Sequence, residues 1–290
     1  MGEAGSLQAR ARPVGLLDSG VGGLSVLREV RAQLPAEDVI YVADQGHVPY
    51  GPRSIEQVRE FTVKLARFLI AQDAKLIVVA CNTASAAALY TLRELFPDVP
   101  FVGMEPAVKP AAHETQTGTI GVIATEATFQ GELYASVVGR FAQGVEVITA
   151  ACPEFVLLAE AGETDSPAAH EAIRRRLLPL AEAGIDQLVL GCTHFPFLKP
   201  AIQAVLGPGV TVVDPSAAVA RQAGRVLEAR GLLNPGARPG HVTYYTSGEV
   251  AAFRRVLGAL LGEPVARGAD VRAACWTEGD AALAAAPSAL

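Results

Sequence analysis

Two short segments of this chain carry the same order of residue types, and that order restricts the folds open to it. Residues 74–89 read A-K-L-I-V-V-A-C-N-T-A-S-A-A-A-L, and residues 187–194 read Q-L-V-L-G-C-T-H. In each, a continuous apolar run, the mark of a strand buried on both faces, passes through one small residue to a cysteine and then into a helical pattern. Cys192 follows Cys81 by 111 positions, about the length of one ordinary domain. A second echo lies upstream: V-G-L-L-D-S at 14–19 is matched by I-G-V-I-A-T at 120–125, with Gly121 106 positions after Gly15. Offsets this close argue for two related halves, each presenting one cysteine at the end of a strand.

Between these anchors strands alternate with helices. Strands are predicted at 14–17, 39–43, 76–80 and 101–103 in the first half, and at 119–123, 145–149, 187–190 and 210–213 in the second. Helical patterns occupy 24–34, 54–72, the Ala-rich stretch from 84, 129–141, 170–183 and a segment from 216 to about 230. This alternation predicts an α/β fold of two pseudo-symmetric domains, each with a mainly parallel sheet flanked by helices. The expected division is a first domain over 13–104, a second over 105–213 and a segment over 214–264 returning to the first. That last segment holds a strand at 241–246 and a helix at 249–261. From residue 262 the Ala, Gly and Pro content reads as loose packing, so 265–290 is expected to be a loosely packed tail. The first dozen residues are also expected to be mobile.

Open parallel sheets bind ligands at the carboxyl ends of their strands. Right-handed crossovers put the loops after Asp18, Cys81, Thr125 and Cys192 on those edges, so facing halves would set the two cysteines across one cleft. Helix-start amides there can hold a carboxylate and draw a thiol toward neutrality. Two thiols flanking one small substrate suit proton transfer, because inverting a stereocentre removes a proton from one face and returns one to the other.

Other chemistries leave parts of the pattern unused. Gly20-Val21-Gly22-Gly23, with Asp44 as a ribose-binding acid, suggests a nucleotide site, but Ser25 occupies the third glycine position of that fingerprint. A thiol hydrolase built on Cys192 and His194 would have no need of Cys81. A net charge of −6 argues against nucleic-acid and anionic-membrane partners, and the only basic cluster, Arg174-Arg175-Arg176, reads as an exposed helix face. No apolar run approaches the roughly 20 residues of a membrane span. The first residues do not read as a signal peptide, and four cysteines without metal or disulfide spacing fit reduced thiols, so the expected location is cytoplasmic.

D-S-G-V-G-G-L-S at 18–25, P-Y-G-P-R-S at 49–54, A-C-N-T-A-S at 80–85 and G-C-T-H-F-P at 191–196, in that order and spacing, resemble the cofactor-independent glutamate racemases of bacterial cell-wall synthesis. The resemblance runs from about Val14 to Leu261. It implies catalytic acid/base roles for Cys81 and Cys192, and glutamate contacts from Asp18, Ser19, Tyr50, Gly51, Asn82, Thr83, Thr193 and His194. Thr125, on the same sheet edge, joins the expected binding residues. Asp18 and His194 would also assist the thiols, as would Glu160 if C-P-E-F-V-L-L-A-E at 152–160 matches the family's Cys-Pro-x-Phe-Val-Pro-Leu-x-Glu segment. Here Glu154 replaces an apolar residue and Leu157 a proline. The resemblance further implies no metal, no pyridoxal phosphate and glutamate as the partner molecule, with aspartate the alternative substrate. A homodimer is the default assembly. Cys152 and Cys275 are expected to be structural, and His47, His113, His170 and His241 to lie on the surface.

Overall fold

In a computed structural model, which describes residues 6–277 and 282–286, the apolar runs become the strands of two sheets. The first half contributes β1 (Val14–Asp18), β2 (Val39–Ala43), β3 (Leu76–Val79) and β4 (Phe101–Val102). The second contributes β5 (Thr119–Ala124), β6 (Glu146–Ala151), β7 (Gln187–Leu190) and β8 (Thr211–Val213). Their spatial orders are β2-β1-β3-β4 and β6-β5-β7-β8, with every neighbouring pair parallel. The two halves therefore share one connectivity, which is the structural content of the echoed motifs. β3 and β7, the strands that end at Cys81 and Cys192, hold the same place in their sheets.

Strands buried on both faces explain the unbroken apolar runs. Leu16 and Val78 face one layer of helices, whereas Leu17 and Val79 face the other. In the second sheet Ile123, Leu188 and Leu190 pack on one side and Val122 and Val189 on the other. Each such side chain contributes roughly 1.5–3 kcal/mol when fully buried. Helix Ile55–Ala71, which covers the first sheet, begins at a capping box in which Ser54 and Gln57 satisfy each other's backbone N–H groups.

The chain then returns to the first sheet. β9 (Val242–Thr246) pairs parallel with β2, β10 (Asp270–Trp276) pairs parallel with β9, and β11 (Leu283–Ala285) closes the edge antiparallel, giving seven strands. The expectation of a loosely packed tail over 265–290 is corrected here for the described residues. Asp270–Trp276 extends the sheet, Ala274 and Leu283 are buried, and a short helix Glu263–Gly268 joins the strand to the preceding one. Of the alanines that looked unpatterned, Ala266 and Ala274 are buried, whereas Ala284 and Ala285 on the edge strand are exposed. Residues 278–281 and 287–290 of that expectation lie outside the described residues.

Of the first dozen residues, 1–5 lie outside the described residues, and the rest differ from expectation, since Leu7–Ala11 forms a helix capped by Ser6. It is tied down by Arg10 Nε, which donates to Leu233 O, and by Lys75 Nζ, which donates to Arg10 O. Lys75 in turn forms an ion pair with Glu37, both side chains being almost completely buried. The single helix expected over 129–141 is two, Glu126–Gln130 and Glu132–Phe141. They break at Gly131, where a Cβ would sit 2.7 Å from the Ala86 Cβ of helix Asn82–Leu95. No helix among the described residues is long and apolar enough to cross a membrane.

Candidate active site

β1, β3, β5 and β7 point their carboxyl ends at one cavity of about 180 Å³ between the two sheets. Its walls come from Ser19 after β1, residues 49–52 after β2, residues 81–83 after β3, Thr125 and Glu126 after β5, Pro153 and Val156 after β6, and residues 192–194 after β7. Both cysteines of the repeated motif thus border the same space. The cavity lies well below the roughly 300–1,000 Å³ typical of drug-sized ligands, so it suits a molecule of amino-acid size and not a dinucleotide.

Cys81 is itself the cap of helix Asn82–Leu95, its Sγ accepting the Ala84 N–H at 3.4 Å. On its other side the thiol points at Ser19 Oγ, 3.9 Å away. The sequence led us to expect a helix start to draw this thiol toward neutrality, and the balance goes the other way. Burial pushes Cys81 well above the ordinary thiol range and the nearby Asp18 charge adds to this, outweighing the hydrogen bond donated by Ala84 N and the contact with Ser19 Oγ. Cys81 accordingly rests as a thiol.

Around Cys192 the surroundings differ. His194 Nδ1 lies 3.6 Å from its Sγ, and His194 Nε2 lies 2.7 Å from Glu160 Oε1. Burial pulls the imidazole down, but its hydrogen bonds to Cys192 and Glu160 prevail and hold it well above the usual histidine range. Burial likewise pushes Glu160 up, yet His194 and the Val21 and Gln45 donors leave it below the usual carboxylate range. Glu160 Oε1 accepts from Val21 N at 2.8 Å and Oε2 from Gln45 Nε2 at 3.0 Å, so this second-half carboxylate is clasped by the first half. The altered surroundings of Glu160 do not displace it. Glu154 is taken up by Arg175 and Arg176, which explains part of that basic cluster, and Leu157 is exposed.

Asp18, completely buried, lies behind the cavity wall. Its Oδ1 accepts from Thr193 Oγ1 at 3.2 Å and its Oδ2 from Gly20 N at 2.9 Å. Burial raises its pKa, against the opposing pull of His194 and of the Gly20 and Gly23 amides. Thr83 Oγ1 and Thr125 Oγ1 meet at 2.9 Å across the two halves, and Thr128 Oγ1 closes a ring of hydroxyls with both. Asn82 stands apart: it borders the cavity, is 2 % exposed, and among the described residues neither its Oδ1 nor its Nδ2 has a hydrogen-bond partner. A buried unpaired amide is costly, so the Asn82 amide keeps unused donors and an acceptor beside the cavity.

Of the expected site residues, Cys81, Cys192, Ser19, Tyr50, Gly51, Asn82, Thr83, Thr125, Thr193 and His194 line the cavity, while Asp18 and Glu160 support it from behind. Tyr50 is placed at the wall, but its hydroxyl is spent on Asp44 Oδ2 at 2.7 Å. Asp44 is not the ribose-binding acid of the nucleotide reading, since its buried carboxylate is filled by four side-chain partners, Tyr50, His47, Ser247 and Trp276. His47 is likewise no surface residue: only 13 % of its side chain is exposed, and its ring stacks on Phe61 at 4.0 Å. His113 and His241 are exposed as expected, and Cys152 is buried. Sequence reasoning missed Gln45, Glu126, Thr128, Pro153 and Val156; Gln45, next to Asp44 at a strand end, and Pro153 and Val156, inside the segment at 152–160, carried a positional signal, as did Glu126 next to Thr125, and Thr128 none.

Comparison with known proteins identifies the fold and the family. The chain is 50% identical over 252 residues to the glutamate racemase of Ectopseudomonas mendocina, covering 87% of this chain and 95% of that protein. Its fold is similar to that of glutamate racemase isoform RacE1 from Bacillus anthracis, with a TM-score of 0.80, 36% identity and coverage of 87% and 95%. It is also similar to Escherichia coli glutamate racemase in complex with L-glutamate and the activator UDP-MurNAc-Ala, with a TM-score of 0.79, 34% identity and coverage of 95% and 100%. The model of the Asp/Glu/Hydantoin racemase family matches residues 14–223, and this chain belongs to that family.

Proposed function

We propose that the protein interconverts L- and D-glutamate by two-base proton transfer, supplying D-glutamate for peptidoglycan. The observation that carries this reading is the shared cavity: Cys81, Cys192 and the unpartnered Asn82 amide all border one amino-acid-sized space. Glutamate is preferred to aspartate because relatives of about half identity are glutamate racemases.

In the forward step the Cys192 sulfur, its own proton held on His194 Nδ1, takes the α-proton, the electron pair left on the α-carbon spreads into the carboxylate, and the Cys81 thiol returns a proton to the opposite face. The resting charges favour this assignment, with a protonated imidazole beside Cys192 and a carboxylate near Cys81. For the reverse step the thiols exchange roles, with Asp18, whose pKa is raised, taking up proton density near Cys81. Ser19, the Tyr50-Gly51 backbone, Asn82, Thr83 and Thr193, all at the cavity wall, hold the two carboxylates, of which the α-carboxylate gains negative charge in the transition state. Fixed dipoles in a small, largely closed space lower the energy of that carbanion. A cytoplasmic homodimer completes the proposal, and sedimentation of the purified protein tests its assembly.

Incubation of purified protein with L-glutamate in deuterated water tests the chemistry. Optical rotation decays to zero as deuterium enters the α-position, and Cys81→Ala and Cys192→Ala each abolish the decay. Retained rotation with the intact protein overturns the proposal, and racemisation of aspartate in place of glutamate overturns the choice of substrate.

A further inference from the structure

Residues 49–52 form one wall of the cavity, yet what holds them is not in the cavity. Their anchor is Asp44, at the end of β2. Asp44 Oδ2 accepts from Tyr50 Oη at 2.7 Å, and Oδ1 accepts from Ser247 Oγ at 2.7 Å and Trp276 Nε1 at 2.8 Å. His47 Nδ1 lies 3.0 Å from Oδ2, and its ring sits between Phe61, stacked at 4.0 Å, and Trp276, edge-on at 4.9 Å. The His47 carbonyl accepts from Arg53 Nε at 2.7 Å, which closes the loop on itself. At its tip Gly51 lies so close to the second half that a Cβ there would stand 3.1 Å from Thr125 Cβ.

Trp276 is the surprising member. It belongs to β10, beyond the residues 14–223 that match the family model, and it is the one tryptophan in the sequence. A buried carboxylate keeps its place only while its donors surround it. Losing the indole N–H leaves Asp44 Oδ1 with Ser247 Oγ and the His47 Nδ1 it shares with Oδ2, and the carboxylate re-optimises at the expense of Tyr50.

We propose that Trp276, on the C-terminal strand, is a positioning residue for substrate binding, acting through Asp44 and Tyr50 to set the cavity wall formed by residues 49–52. This rests on the reading that the cavity takes glutamate. It makes substrate affinity depend on the last strands of the chain, because residues 49–52 border the cavity but carry neither of the two thiols that exchange protons.

Two measurements test it. In Trp276→Phe, which keeps an aromatic ring against His47 and Phe61 but removes the donor, KM for glutamate rises about fivefold to tenfold while kcat stays within about twofold. An unchanged KM, or a kcat that falls with KM unchanged, overturns the inference. The second needs no variant. Titrating the native protein with equimolar D- and L-glutamate, which undergoes no net reaction, gives a saturable change in tryptophan emission with its midpoint near KM. Emission that stays constant through saturating glutamate overturns the inference even if Trp276→Phe does not fold. The two readings fail separately: a native protein that does not racemise glutamate removes the proposed function, whereas one that racemises it with Trp276→Phe unaltered in KM removes only the role of Trp276.

Discussion

His194 Nε2 lies 2.7 Å from Glu160 Oε1, while the Nδ1 of the same ring faces Cys192 Sγ at 3.6 Å. One imidazole thereby links a buried carboxylate to one of the two cavity thiols, and a carboxylate that keeps it charged determines what that thiol sees. Glu160→Gln removes the counter-charge and leaves an amide of nearly the same shape. We expect kcat to fall about tenfold or more, in keeping with the roughly 1.5–3 kcal/mol of a hydrogen bond to a charged group. The His194 pKa, read from imidazole NMR shifts, should fall in the same variant. An imidazole that titrates identically in both proteins would sink the linkage.

The same pair gives stability a pH window. His194 is raised above its reference of 6.5, so its contribution is full below that pH and is lost as pH rises through the folded value. Glu160 is lowered below its reference of 4.5, so its contribution is full above that pH and is lost as pH falls through the folded value. The stability difference between the native protein and Glu160→Gln should therefore be largest between pH 4.5 and 6.5 and shrink on either side. Urea midpoints across that range check it, and a difference independent of pH would contradict it.

Gly22 is a steric control on the site. A Cβ there would sit 2.5 Å from His194 Nδ1 and 2.6 Å from Thr193 Oγ1, neither of which has room to retreat. Gly22→Ala should lower kcat/KM about a hundredfold through a displacement of about 1 Å. The overpacking should cost about 1–3 kcal/mol of stability. Near-native activity would show that the imidazole position is less constrained than the packing implies.

Lys75 and Glu37 form a buried ion pair at the base of the first sheet, far from the cavity. Glu37 Oε1 also accepts from Asn234 N at 2.8 Å, so the pair ties β3 to the chain leading into β9. Lys75→Met leaves the carboxylate uncompensated and should cost about 3–5 kcal/mol. Lys75→Met with Glu37→Gln, which keeps an acceptor for Asn234, should recover most of it. Equal destabilisation of the single and double variants in thermal unfolding would rule out the uncompensated charge as the cause.

Much of this architecture was legible in the chain because it is local. An apolar run ending at Cys81 or Cys192 can be little else than a buried strand feeding a helix, and its repetition fixed both the twofold plan and the two thiols as a pair. Ser19, Tyr50 and Asn82 were marked by the short motifs at 18–25, 49–54 and 80–85 that carry the resemblance to glutamate racemases. The C-terminal strand was not legible: D-V-R-A-A-C-W carries no alternation, because its register and burial come from β9 and not from its own pattern.

Charge and contact were decided only by the tertiary structure. The sequence places Cys81 at a helix start, but whether its thiol is lowered or raised depends on burial and on Asp18, groups brought near by folding. Glu160 is joined to His194 across 34 positions, and Asp44 to Trp276 across 232. Hydrogen bonds of a few ångströms between residues so far apart along the chain are set by how the sheets pack, and no local pattern encodes them.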